Sequence, residues 1–408
     1  MAAEGRFVTL GALEQEHLEV PSQSTSTVFS GRCPEKWLRS RVATVLRANP
    51  WLAGRLRTDP SSGKPALWVP DHVDEEGFLQ IARVADPEHV VSNPWPSHFV
   101  LSGSALLDCD DEPVCKMVVL LEPTEQQWGL NFSMSHMVTD AHTFYTIYGM
   151  LDQASGVVRP MQVDRIHFDF TAVLPDALTH QKRQELLESQ GKHQPTAINC
   201  CIRYVCQKWL RKQKEAYAAK IDADAASITV NDLLTSWFFK ATQPAYGALS
   251  FNLRGKGKVP GLSEDHAGVY STELVLLPEE YMSPVNIHRA IVSASSHQPR
   301  HSESSVQGLC GKRGVVTSWH NIYKDVQMPG CTQKVHVPCG PATLSSDLPP
   351  VPFATIFRPA ADTYAMLTFT EQNLDDLPDT PLGDPLWGVE AAASNFERVS
   401  RLLHMQHC

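Results

Sequence analysis

Residues 127–151, QWGLNFSMSHMVTDAHTFYTIYGML, change their apolar period halfway along, and this constrains the fold more tightly than any other stretch. Leu130, Phe132, Met134 and His136 alternate with Asn131, Ser133 and Ser135, which predicts a strand whose apolar face ends on His136. From Ala141 the spacing becomes helical, through Phe144, Ile147, Tyr148 and Leu151, with Asp140 or Thr139 placed to cap the new helix. A buried strand that stops at an imidazole, four residues before a helix begins, presents a side chain rather than merely packing it.

The rest of the chain has to supply something for that side chain to face. With 408 residues it is too long for one ordinary core, so two domains of roughly 150 to 200 residues with a cleft between them are expected. We place an N-terminal domain over 1–175, a connection over 176–226 where the composition turns polar, and a C-terminal domain over 227–408. A net charge of −10, with no dense run of Lys and Arg, argues against nucleic acid as a partner. No stretch approaches the roughly 20 apolar residues of a membrane span, and the first ten residues lack the basic start and apolar core of a secretory signal. A soluble, cytoplasmic monomer is therefore expected. Ten cysteines without a CxxC pair argue against a disulfide framework or a structural zinc, and read as reduced thiols.

Other segments alternate between strand and helix. Leu38, Val42, Val45 and Leu46 predict an amphipathic helix that Pro50 ends, followed by a tight turn into a strand, with Gly54 where the backbone bends or approaches closely. VCKMVVLLE at 114–122 reads as a fully buried strand, and NPWPSHF at 93–99 as a rigid loop. Residues 202–220 carry a helical charge pattern with Lys208, Arg211, Lys212 and Lys214 on a solvated face. A helix over 227–241 capped by Asn231 follows, then strands at 247–254, 273–277 and 314–319 around a helix at 285–293. A mobile Ser/His-rich loop at 296–305, a strand at 362–370 and a last helix at 390–404 complete an α/β chain of mixed sheets flanked by helices.

Three chemistries are open to His136. A metal site with Asp140 and His142 lacks a further Cys, Asp or Glu at ligand spacing, and no G-x-S-x-G elbow supports a serine nucleophile. What remains is a lone general base, which takes a proton from a hydroxyl or amine and returns it to a leaving group. The spacing alone is equally compatible with a core histidine beside a helix-capping Asp140.

SHMVTDA at 135–141 resembles the HxxxD motif of the coenzyme A-dependent acyltransferases, particularly their BAHD-like branch, and further segments resemble that family in the same order along the chain. NPWLAGRL at 49–56 is similar to its "laGRL" segment, ITVNDLLTSWFFKA at 228–241 to its second-domain helix, and FNLRGKGKVPGLSEDHAGVY at 251–270 to its "vn.R.r..P.lp..y.GN" strand and loop. TSW at 317–319 and DTYAMLTF at 362–369 are similar to its late serine–tryptophan step and closing strand. The resemblance implies two chloramphenicol-acetyltransferase-like domains with a tunnel between them, open to acyl-CoA on one side and to an acceptor on the other.

It further implies His136 as general base without an acyl-enzyme, and Asp140 as a structural residue clamped by Arg254. Thr317 or Ser318 becomes the candidate oxyanion donor, and Ser135 and Trp319 candidate tunnel-lining residues. Acyl-CoA enters as co-substrate with no permanently bound cofactor or metal, and the acceptor is a small-molecule alcohol or amine. Three features depart from the family pattern: DVQMPG at 325–330 stands where it has "DFGWG", Ser135 and Ala141 replace the second histidine of some relatives and the common glycine, and the "GN" step is Gly268-Val269. Two other readings keep the same fold: a condensation-type transferase fed by a carrier-protein thioester, and a silent paralogue that binds a ligand.

Overall fold

The alternating apolar set of 127–134 becomes the middle strand of a sheet. A computed structural model describes residues 4–88, 96–109, 111–154, 158–174, 176, 178–182, 185, 199–219, 228–255, 259–296, 298, 300–301, 311–338, 352–375 and 377–386. Five strands run in the order Thr332–Pro338, Gln23–Ser30, Gln127–Met134, Cys115–Leu121 and Leu79–Arg83, and all neighbours are antiparallel except the last pair. Leu130, Phe132 and Met134 stand opposite Thr27, Thr25 and Gln23. Helix Ala141–Gly149 covers that face, with Phe144 packed on Phe132 at 4.7 Å between centroids. Helix Glu35–Ala48 buries Leu38, Val42, Val45 and Leu46 completely. One 3₁₀ turn, Pro50–Ala53, then leads into strand Arg55–Thr58 of a small three-stranded sheet. Gly54 between them is extended and answers to close approach, since a Cβ there would lie 2.8 Å from the Leu67 side chain and from two carbonyls.

The second sheet has seven strands in the order Ser271–Leu276, Tyr246–Asn252, Arg313–Ser318, Phe353–Phe357, Ala365–Thr370, Asn199–Val205 and Leu382–Pro385, and it mixes parallel and antiparallel pairs. Its faces divide by alternation. Ala354, Ile356 and Met366 join Leu234 and Phe238 of helix Val230–Thr242 and Ile287 of helix Pro284–Ser295 in one core. Phe357, Ala365, Leu367 and Phe369 instead join Phe132, Phe144 and Tyr145 of the first sheet and its helix. The two sheets therefore share apolar contacts at their junction.

Long-range pairing redraws several local expectations. The helical reading of 202–220 holds only from Gln207, because Asn199–Val205 pairs as a strand with Ala365–Thr370 and Leu382–Pro385. Lys208, Arg211, Lys212 and Lys214 of that helix are exposed. The polar stretch 176–226 thus supplies a strand to the second sheet, and Thr332–Pro338 crosses back as an edge of the first. Thr229, not Asn231, caps the next helix, in a reciprocal box with Asp232 (Thr229 N to Asp232 Oδ2, 2.9 Å; Asp232 N to Thr229 Oγ1, 3.2 Å). The expected helix at 390–404 lies outside the described residues, as do most of the 296–305 loop and residues 93–95. No helix among the described residues is long and apolar enough to cross a membrane.

Candidate active site

The strand stops at Met134, two residues earlier than alternation predicts, so His136 sits in a tight turn rather than at a strand tip. Ser135 builds that turn. Its carbonyl accepts from Val138 N at 3.2 Å and Thr139 Oγ1 at 3.0 Å, and its hydroxyl accepts from Met137 N at 3.3 Å. Fully buried and engaged in the turn, the Ser135 side chain acts on the backbone that carries His136.

Asp140 closes the turn and opens the helix, accepting from Thr143 N at 3.0 Å. Its other oxygen takes Arg254 Nη1 at 2.5 Å and Tyr270 N at 2.9 Å, so the carboxylate points to the second sheet's loop and away from the imidazole. Arg254 spends its remaining donors on Thr143 Oγ1 and the Gly268 carbonyl, both at 2.9 Å, and on the His266 carbonyl at 3.2 Å. Burial works against a charged Asp140, but the Arg254 guanidinium and the backbone donors outweigh it and hold the carboxyl below the usual range. Gly268 has φ +133°, a conformation that side chains rarely adopt, and its carbonyl takes Asp140 N and Arg254 together. Beside it a second buried pair, Glu14 with Arg165 at 2.7 Å, ties the short helix Ala12–Gln15 to the same loop through Val269 N.

His136 itself is mostly buried. Gln23 Nε2 lies 3.0 Å from its Nε2, and the ring of His17 stacks on it at 4.3 Å between centroids. Nδ1 is buried and has no hydrogen-bond partner among the described residues. Burial first, and then the neighbouring His17, push its pKa down to about 3, against the smaller pull of the His136 and Thr139 backbone and of Asp140. The ring is therefore neutral at physiological pH, with a lone pair available on one nitrogen. Neither Gln23 nor His17 belongs to any motif, and no local spacing marks partners more than a hundred residues away.

The late residues sit on the other sheet. Thr317 and Ser318 end strand Arg313–Ser318, and Ser318 Oγ is 2.6 Å from His320 Nδ1. Among the described residues no hydrogen bond joins either hydroxyl to His136. Trp319 packs on Tyr145 at 5.9 Å and Phe144 at 6.3 Å, so it bridges the second sheet to the helix that follows the turn. His142 turns to Glu264, with Nε2 3.0 Å from its carbonyl. Residues 325–330 dock on the far end of the same helix, where Gln327 N donates to Asp152 Oδ1 at 2.9 Å and Gln153 N to the Gln327 carbonyl at 3.0 Å.

Two mixed sheets share a core, and an arginine from one clamps a histidine-bearing turn of the other, a two-domain fold that recurs in solved structures of low sequence identity. The chain is similar to F. sporotrichioides TRI101, solved with coenzyme A and T-2, at 14% identity and a TM-score of 0.59, covering 90% of this chain and 95% of that one. It is also similar to the first condensation domain of the CDA synthetase, at 14% identity and 0.56 over 98% and 95% of the two chains. Polyketide synthase associated protein 5 of Mycobacterium tuberculosis is a third, at 13% and 0.53 over 98% and 96%. No family model matches the sequence, and no curated protein does.

Proposed function

We propose that the protein transfers an acyl group from acyl-CoA to a hydroxyl or amine of a small molecule, as a cytoplasmic monomer. His136 Nε2 takes the acceptor's proton while the acceptor attacks the thioester carbonyl. Thr317 or Ser318 donates to the tetrahedral oxyanion, and the departing thiolate recovers the proton from His136, so that no acyl-enzyme forms. The observation that carries this reading is the division of labour in the HxxxD turn. Arg254, Tyr270 and Thr143 consume the Asp140 carboxylate, while burial keeps His136 neutral with a lone pair to offer. TRI101, solved with coenzyme A and a second small molecule, supports a cleft that serves both substrates.

Thiol release from a panel of acyl-CoAs with mixed alcohols and amines tests it. His136→Ala is expected to lower transfer by roughly 10²- to 10⁴-fold, and equal rates in the two proteins remove the base role. The likeness to a condensation domain supports a second reading, with a carrier-protein thioester as donor. An acyl group accepted only from a loaded carrier protein, and not from acyl-CoA, selects that reading.

A further inference from the structure

Gln23 opens strand Gln23–Ser30, opposite Met134, and its amide reaches across the strand end to the ring of His136. The amide nitrogen, not its oxygen, is the atom that faces the ring, and an amide nitrogen can only donate. His136 Nε2 is therefore the acceptor of that contact, which places the ring hydrogen on Nδ1. This arrangement leaves Gln23 Oε1 without a hydrogen-bond partner among the described residues, although the residue is only 7% exposed. A glutamine present for packing alone would not bury an empty acceptor beside a neutral imidazole. His17, whose own Nδ1 is 2.6 Å from the Leu13 carbonyl, is locked against the face of the same ring.

We propose that Gln23 is a positioning residue that, with His17, presents His136 in the Nδ1–H tautomer and keeps its Nε2 lone pair for the acceptor. This rests on the reading of His136 as the base. On binding, the acceptor's O–H or N–H replaces the Gln23 N–H at Nε2, and the released amide holds the acceptor atom. The charged and titratable groups facing the ring are His17 and Asp140, the latter neutralised by Arg254, while Glu14 on the preceding helix is paired with Arg165.

The test uses the full chain labelled with ¹⁵N-histidine, with His136 assigned by the resonance that His136→Asn loses. The wild type is expected to show a protonated Nδ1 and a bare Nε2. Gln23→Glu sets a carboxylate against Nε2, so Nε2 becomes protonated, the His136 midpoint rises by roughly one to three pH units, and the acid limb of kcat moves up with it. Gln23→Leu keeps the bulk, and it is expected to raise KM for the acceptor about tenfold while KM for acyl-CoA holds, the size of one lost hydrogen bond. A wild-type spectrum with hydrogen on Nε2 overturns the proposal whether or not any variant folds. So does a folded Gln23→Glu protein whose His136 titrates as before. The expected spectra without acyl transfer to any acceptor support the positioning role and count against the transferase reading instead.

Discussion

His136 and His336 serve the same five-stranded sheet, and burial drives both to a pKa of about 3. They differ in what their nitrogens touch. His336 lies within edge strand Thr332–Pro338, opposite Thr27, and is fully buried. Its Nδ1 is 2.8 Å from Thr27 Oγ1, its Nε2 is 2.9 Å from Tyr145 OH, and Thr27 Oγ1 is in turn 2.6 Å from Tyr148 OH. Every polar atom of that ring has a fixed partner. His136 keeps part of its surface open, and among the described residues its one hydrogen bond is to the Gln23 side-chain amide. A depressed histidine pKa thus records mainly burial, and the hydrogen-bond deficit is what separates the ring of the proposed base from the ring that fastens a strand.

The sharpest way to break that comparison is to remove each ring. His136→Ala is expected to lose roughly 10²- to 10⁴-fold in thiol release while its urea midpoint stays near wild type. His336→Ala is expected to keep its turnover and lose about 2 to 4 kcal/mol of stability, because the Thr27 and Tyr145 hydroxyls lose a buried partner and the ring leaves a void. If His136→Ala proved the less stable protein of the two, the distinction would fail.

The clamp comes next. Arg254→Ala is expected to cost about 3 to 5 kcal/mol in denaturant unfolding and to lower activity with it, since it strands a buried Asp140 carboxylate under the His136 turn. Unchanged unfolding would detach the turn from the second sheet.

Acid should then act on both depressed rings with one sign. A histidine whose folded pKa lies below its unfolded value of about 6.5 contributes fully above that pH and loses its contribution as pH falls toward 3. His336→Gln is expected to flatten that loss. His301 runs the other way. Burial opposes its charge, but Asp176 and Glu280, at 2.8 and 3.1 Å, raise it to about 9, so its contribution of roughly 1 to 3 kcal/mol is full below pH 6.5 and fades as pH rises through 9. Urea midpoints of wild type and His301→Gln between pH 3 and 10 separate the two limbs.

The smallest effect compares helix ends. Thr229→Ala should cost about 1 kcal/mol, and Asn231→Ala no more than about 0.5 kcal/mol, because only Thr229 caps. Loss of the Asp140 cap should exceed both, since that carboxylate also holds Arg254.

Features carried by neighbouring residues were legible in the sequence. The strand of Leu130, Phe132 and Met134, the helix of Phe144, Ile147 and Tyr148, and the buried stripe of Leu38, Val42, Val45 and Leu46 all follow from side-chain period. Asp140 as a cap was legible for the same reason, while the Asn231 cap was misassigned because the Thr229–Asp232 box is satisfied two residues earlier. Strand Asn199–Val205 escaped because its ladder partners at 365–370 and 382–385 outweigh the charge pattern that made 202–220 look helical.

The amino-acid order by itself settled where an imidazole must follow a strand and precede a helix, since alternation and capping act over a few residues. Folding in three dimensions decided what that imidazole meets: Gln23 at Nε2, His17 on its face, and an aspartate turned aside by Arg254, which is 114 residues away. Hydrogen bonds and burial depend on distance in space, and only the packing of two sheets brings those groups within 3 to 5 Å of the turn.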